Sequence, residues 1–282
     1  MNLSRRRARG VVGVLTAAAT GLVELVRGLG SPAPRPRVVP GTTRLVESYG
    51  SGARRRGEWW VPPGTTGPLP AVVLVHGGYW RSSYDLHLQD AVAADLAGRG
   101  YLVWNIDYAP SAKPWPATLT DAAAAYDFLS AGRYAGRVDP ARVAVVGHSA
   151  GGHLALWLGS RARVPSGGPG TGAFRRPALL VPQAPVASLA RGSREGLGGG
   201  AVDALVGGSP AQQPERYGEA DPIALRLHGQ GDAIVPISQS EDYLAAAGPA
   251  TCSLVRVPGD HFAHLDPTSP AVEALRAALA SL

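Results

Sequence analysis

Only one of the 282 residues is a cysteine, Cys252, which excludes an intrachain disulfide and a thiolate set for an iron–sulfur cluster or a cysteine-built zinc site. That residue stands in the strand-like run 251–257 and reads as a small buried side chain. No unbroken stretch of about 20 apolar residues occurs, so a stable membrane span is not expected. Metal-protease spacings and carboxylate–histidine clusters are missing, and the glycine runs lack the strand–helix setting of a dinucleotide site. No metal and no cofactor is therefore expected. The chain has no internal repeat, and its net charge of +6 is unevenly placed. Residues 1–56 hold 11 arginines against two glutamates, while the remainder holds 16 basic and 19 acidic residues. The body is mildly acidic and carries no basic face interleaved with aromatics, so no nucleic acid is expected as a partner.

What is present is enough apolar material, 45% of residues, for one substantial core. We expect an N-terminal extension with a proline-rich linker over 1–40 and one catalytic domain over 41–282. The arginines at 5–7 and 9 precede a mostly apolar stretch over 11–26, the pattern of an export signal. Glu24 and Arg27 interrupt it and Pro34 follows the small residues at 31–33. A cytoplasmic location is the favoured expectation; export, a packed amphipathic helix and a plain tail are the alternatives. Strands over 42–49 and 57–61 form an antiparallel start. Thereafter strands over 71–75, 101–107, 142–146 and 178–181 alternate with helices over 85–99, 116–132 and 151–161. Residues 188–220, poor in apolar periodicity, read as a cap or lid. Strands over 223–228 and 252–257 flank a helix over 238–247, and a helix over 271–282 ends the chain. Apolar strands alternating with such helices imply an α/β protein with a mostly parallel central sheet covered on both faces.

Gly147-His148-Ser149-Ala150-Gly151-Gly152 follows the apolar run 143–146 and precedes a helix-competent run. A G-x-S-x-G stretch between strand and helix is a nucleophile elbow, a tight turn that lifts the serine hydroxyl above the sheet. A serine hydroxyl is a poor nucleophile near neutral pH and needs a base, itself oriented by an acid. On α/β-hydrolase scaffolds these follow in the order serine, acid, histidine, each after a later strand. Asp232 lies 83 residues after Ser149, and His261 lies 29 residues after Asp232. For the base, His264 is the competing candidate, expected at the rim or facing solvent. Asp260 and Asp266 read as turn or capping residues. His76-Gly77-Gly78-Tyr79-Trp80 follows the strand at 71–75, where esterases place the loop whose N–H groups hold an oxyanion. Gly77, Gly78 and Ala150 are the expected donors, with Tyr79 a further candidate; His76 reads as structural. Tyr79, Trp80, Tyr108 and Trp115 are candidates for an acyl or aryl pocket, or for the core.

These stretches, with 105–110, 115–117 and 260–262, carry a resemblance that spans residues 71–265. The chain resembles the α/β-hydrolase superfamily, in its hormone-sensitive-lipase and esterase branch, and within that the bacterial esterases and kynurenine formamidases. The resemblance implies an α/β-hydrolase fold with a small lid, a catalytic serine and no cofactor. One departure is the run 221–228 before Asp232, which looks shorter than the resemblance implies; a truncated strand would displace the acid.

The expected function is a serine hydrolase that cleaves a small carboxylic ester through an acyl-enzyme, with a small-molecule ester or amide as its partner. Two alternatives stay open: an arylformamidase, and a catalytically impaired hydrolase-fold binding protein. Substrate identity and oligomeric state are not legible in the sequence.

Overall fold

The computed structural model describes residues 34–172, 174–216, 226–229, 231–247 and 252–282. The signal-like stretch, the end of the lid and the start of the strand expected at 223–228 lie outside them. Eight strands form one sheet: β1 (Thr43–Ser48), β2 (Arg56–Val61), β3 (Leu69–Val75), β4 (Leu102–Ile106), β5 (Val138–His148), β6 (Leu179–Gln183), β7 (Arg226–Gly229) and β8 (Leu254–Val257). Their order across the sheet is β1-β2-β4-β3-β5-β6-β7-β8. β2 pairs antiparallel with β1 and β4, and every later pairing is parallel. This is the α/β-hydrolase fold, with the antiparallel start and parallel body expected.

Most residues within β3 and β4 are apolar, several of them β-branched, because both faces of a parallel sheet are covered. Successive side chains point to opposite faces. Val73 and Val75 thus join Trp59, Trp104 and Trp157 in one cluster, while Val72 and Leu74 join Trp60, Leu96 and Leu275 in the other. The Trp59 and Trp104 rings stack at 4.4 Å across β2 and β4. Gly57 makes room for this, since a Cβ there would lie 2.5 Å from the Trp104 ring. Both indoles find acceptors: Trp59 Nε1 donates to Glu47 at 2.7 Å and Trp104 Nε1 to the Ala125 carbonyl at 2.9 Å.

Among the described residues the helices are α1 (Asp90–Gly98), α2 (Ala117–Asp127), α3 (Ala150–Ser160), α4 (Leu189–Arg194), α5 (Ala201–Val206), α6 (Ser238–Ala247) and α7 (Pro270–Leu279). The helix expected over 85–99 begins instead with a tighter turn, Leu86–Gln89, because the Asp85 side chain accepts from the His87 N–H and fixes its start. The helix expected over 116–132 stops at Asp127 and continues as the 3-10 turn Phe128–Ser130. β5 starts earlier than the apolar run suggested, at Val138, through an irregular pairing between Leu69 and Ala71 that accommodates Pro140. α7 is amphipathic, capped by Ser269 with Pro270 in its first turn, and it buries Val272, Leu275 and Leu279. The described part of the segment expected as a lid is not detached. Leu189, Val202, Leu205 and Val206 from α4 and α5 belong to the larger core cluster.

Among the described residues no helix is long and apolar enough to cross a membrane. Replacing Trp104 by Ala removes the ring that joins β2, β4 and α2. Large-to-small changes of this kind cost about 3–5 kcal/mol, and urea unfolding of the variant should show a loss of that size; a loss under about 1 kcal/mol would mean the stack contributes little.

Candidate active site

β5 ends at His148 and α3 starts at Ala150, leaving Ser149 alone between them at φ 57°, ψ −118°. A serine in that region is strained, by about 1–3 kcal/mol, and persists only where surroundings determine it. They do so by backbone contact. A Cβ on Gly147 would lie 2.1 Å from the Gly151 carbonyl oxygen, and one on Gly151 would lie 2.0 Å from that of Val75. Only glycine fits at either place. The Ser149 N–H donates to the Gln183 carbonyl at 2.8 Å, tying the turn to β6. The first N–H groups of α3, Ala150 among them, have no intrahelical acceptor by construction.

Gly77 lies against this turn, where an added Cβ would sit 2.9 Å from the His148 carbonyl oxygen and 3.0 Å from the Ser149 Cβ. Gly78, Tyr79 and Trp80 follow at φ 105°, 52° and 54°, three left-handed residues in succession. Trp80 is fully buried, edge-on to the His153 ring at 5.4 Å, and anchors this strained loop in the core. Tyr108 is likewise buried, its ring stacked on that of His76 at 4.3 Å and its hydroxyl donating to the His76 carbonyl at 2.7 Å. Both are buried in the core, one of the two destinations the sequence left open, and both support the loop from beneath. His76 is structural as expected, with Nδ1 donating to the Gly77 carbonyl at 2.7 Å and Nε2 3.2 Å from Asp107. Arg54 reaches the same Asp107 oxygen at 3.1 Å, so the buried carboxylate is paired.

Asp232 and His261 come together despite the short strand before the acid. His261 Nδ1 lies 2.7 Å from Asp232 Oδ2, and the Asp232 side chain is fully buried. The acid is held locally, which is why strand length does not displace it. Its Oδ1 accepts from the N–H groups of Ile234 and Val235, each at 2.8 Å. The Gly231 N–H also donates to the Gly259 carbonyl at 3.2 Å, linking the acid turn to the base turn. With Nδ1–H directed at a carboxylate, the other nitrogen of a neutral His261 is the basic one. Ser149 and His261 line one narrow cleft of about 20 Å³ together with Gly78, Tyr79, Tyr84 and Phe262. Tyr79 is thus at the cleft, its hydroxyl 3.4 Å from the Ile234 carbonyl. Burial, then the Asp232 charge, raises its phenol to about 12.

His264 departs from expectation, being fully buried rather than at the rim. Both histidines sit in the 3-10 turn His261–Leu265, where residues three apart eclipse, so both point inward. Asp260 caps that turn, accepting from the N–H groups of Phe262 and Ala263, as the sequence suggested. Sequence reasoning missed His148. Its Nε2 donates to the His261 carbonyl at 2.8 Å, and the two rings lie 4.6 Å apart. Burial, followed by the charges of His261 and His264, holds its imidazole well below the ordinary 6.5. The signal lay in the residue before Ser149, which the elbow necessarily turns toward the base.

The BD-FAE family model matches residues 58–166. Carboxylesterase NlhH of Mycobacterium tuberculosis is 38% identical over 114 residues, 39% of this chain and 35% of that protein. An uncharacterised protein of the same species is 29% identical over 289 residues, covering 95% of this chain and 92% of its own. The crystal structure of esterase B from Lactobacillus Rhamnosis aligns with a TM-score of 0.75 at 19% identity, over 95% of this chain and 94% of that one.

His148 stays neutral in the fold, whereas in the unfolded chain it protonates below its ordinary value of 6.5. The unfolded state then binds the extra proton, so stability falls as pH drops below that value, by at most about 1.4 kcal/mol per pH unit for this one group. Urea unfolding at pH 7.5 and 5.0 should show a larger loss in wild type than in His148→Gln; equal losses would remove His148 as the cause.

Proposed function

We propose that this chain is an α/β-hydrolase of the esterase/lipase family that hydrolyses small carboxylic esters through an acyl-enzyme on Ser149, within a catalytic domain over 41–282. The observation that carries this reading is a serine on a strained elbow sharing a narrow cleft with a histidine whose other nitrogen is held 2.7 Å from a buried aspartate. Ser149 Oγ attacks the acyl carbon while its proton passes to His261 Nε2, and the carbonyl oxygen becomes an oxyanion. The N–H groups of Gly77, Gly78 and Ala150 take that charge, each contributing about 3–4 kcal/mol of transition-state stabilisation. The tetrahedral species expels the alkoxide, which receives the proton from His261. Water then attacks the acyl-serine, His261 accepts its proton, and the collapse returns that proton to Ser149 and releases the acid. Asp232 keeps His261 in the tautomer with Nδ1–H and stabilises the imidazolium. No cofactor is required for any step.

The cleft supports a small acyl group. Tyr79, Tyr84 and Phe262 close in on the narrow space beside Ser149, and their bulk favours an acetyl over a long acyl chain. For p-nitrophenyl esters, kcat/KM should therefore fall from acetate to octanoate, and a rise would overturn the acyl-size reading. Ser149→Ala should lower kcat by about four to six orders of magnitude and Asp232→Asn by about four. Faster cleavage of N-formylkynurenine than of any ester would move the assignment to a formamidase. Absence of turnover by folded wild type would favour a binding role instead.

A further inference from the structure

A larger hollow lies away from the cleft at Ser149. Its volume is about 620 Å³, within the range of small-molecule sites. Val138 and Val143 of β5 line it together with Leu129, and Tyr126 and Phe174 supply aromatic walls. Six steps of chain separate Val143 from Ser149, roughly 20 Å of strand. A small group bound in the hollow does not reach the serine hydroxyl, so the hollow has no part in acyl transfer.

Two guanidinium groups stand here, and they differ. Arg161 is buried, bonds both oxygens of Asp127 at 2.7 and 2.8 Å, and lies 4.5 Å from the centre of the Phe174 ring. Its charge is cancelled by that bidentate pair. Arg175 lines the same hollow, is exposed, and makes no ion pair with a described residue. One positive charge is therefore left over. Tyr126 is 3% exposed, and its hydroxyl is buried with no hydrogen-bond partner among the described residues. Burial, then the neighbouring Asp127 carboxylate, pushes that phenol above its ordinary range, so it remains a donor. An unmet buried donor is destabilising until an acceptor arrives.

We infer that this hollow is a binding site, separate from the acyl-transfer cleft, for a small monocarboxylate with an aliphatic or aryl-alkyl body. Arg175 takes the carboxylate oxygens as a planar fork, the Tyr126 hydroxyl supplies a further donor, and the valine, leucine and aromatic walls cover the apolar body. A neutral alcohol of the same shape would leave the Arg175 charge unanswered.

Calorimetric titration of the full chain with 4-phenylbutyrate, and with 4-phenylbutan-1-ol as the uncharged control, tests this. The carboxylate should bind wild type and Ser149→Ala alike, and at least tenfold more tightly than the alcohol. Arg175→Gln should weaken it at least tenfold, Arg175→Lys should recover part of the loss, and Tyr126→Phe should weaken it several-fold. Since Arg175 is exposed, an unchanged unfolding midpoint confirms that its variants are folded. No binding of the acid, equal binding of the alcohol, or binding indifferent to Arg175→Gln would overturn the site; the last is what a product acid resting in the cleft at Ser149 would give. Wild-type ester turnover is a separate measurement, so failure here leaves the hydrolase reading standing.

Discussion

Gly151 meets the carbonyl oxygens of Val75 and His76 so closely that a Cβ there would sit 2.0 and 2.4 Å from them. That contact fastens the serine turn after β5 to the loop after β3. The separation between Ser149 and the N–H groups of Gly77 and Gly78 is thus set by backbone resting on backbone. Side chains relax by changing rotamer; two backbones at this distance do not. The proposed acyl transfer, which depends on sub-ångström placement, would rest on the least adjustable contact the fold can offer.

Around that contact the chain accumulates strain and offsets it by burial. Three consecutive left-handed residues, Gly78, Tyr79 and Trp80, follow the first glycine of the loop. Trp80 sinks into the core, Tyr79 packs against Gly198 of the lid, and Arg81 bonds the Gly198 carbonyl. Beneath them His76, Asp107, Arg54 and Tyr108 form a buried polar layer in which the carboxylate is paired and the ring is stacked. His148 does the same for the other side, donating to the His261 carbonyl from a ring that burial keeps neutral.

Much of this was legible in the sequence because it depends on periodicity and order. Alternating apolar strands and helices fixed the parallel sheet, and the elbow motif with a later aspartate and histidine identified the residues now found together. What was not legible depends on tertiary packing. Trp80 and Tyr108 stayed open between pocket and core because large aromatics beside a reactive loop have two destinations, and hydropathy does not decide between them. His264 was placed at the rim because its turn was not foreseen as 3-10, the geometry that brings it over His261. The short strand before Asp232 suggested displacement because the two N–H bonds from Ile234 and Val235 that hold the carboxylate are invisible to hydropathy.

Those two bonds reach beyond the reaction. Among the described residues, β6 and β7 align through one ladder pair, Gln183 with Leu227, whereas β7 and β8 share four. Asp232 and His261 are instead joined to each other directly: the Gly231 N–H donates to the Gly259 carbonyl, and His261 Nδ1 lies 2.7 Å from Asp232. Chain inserted or rewritten between Gln183 and Leu227 can change what reaches the serine while the acid keeps its aim. Selectivity and reactivity are, in this architecture, separately editable.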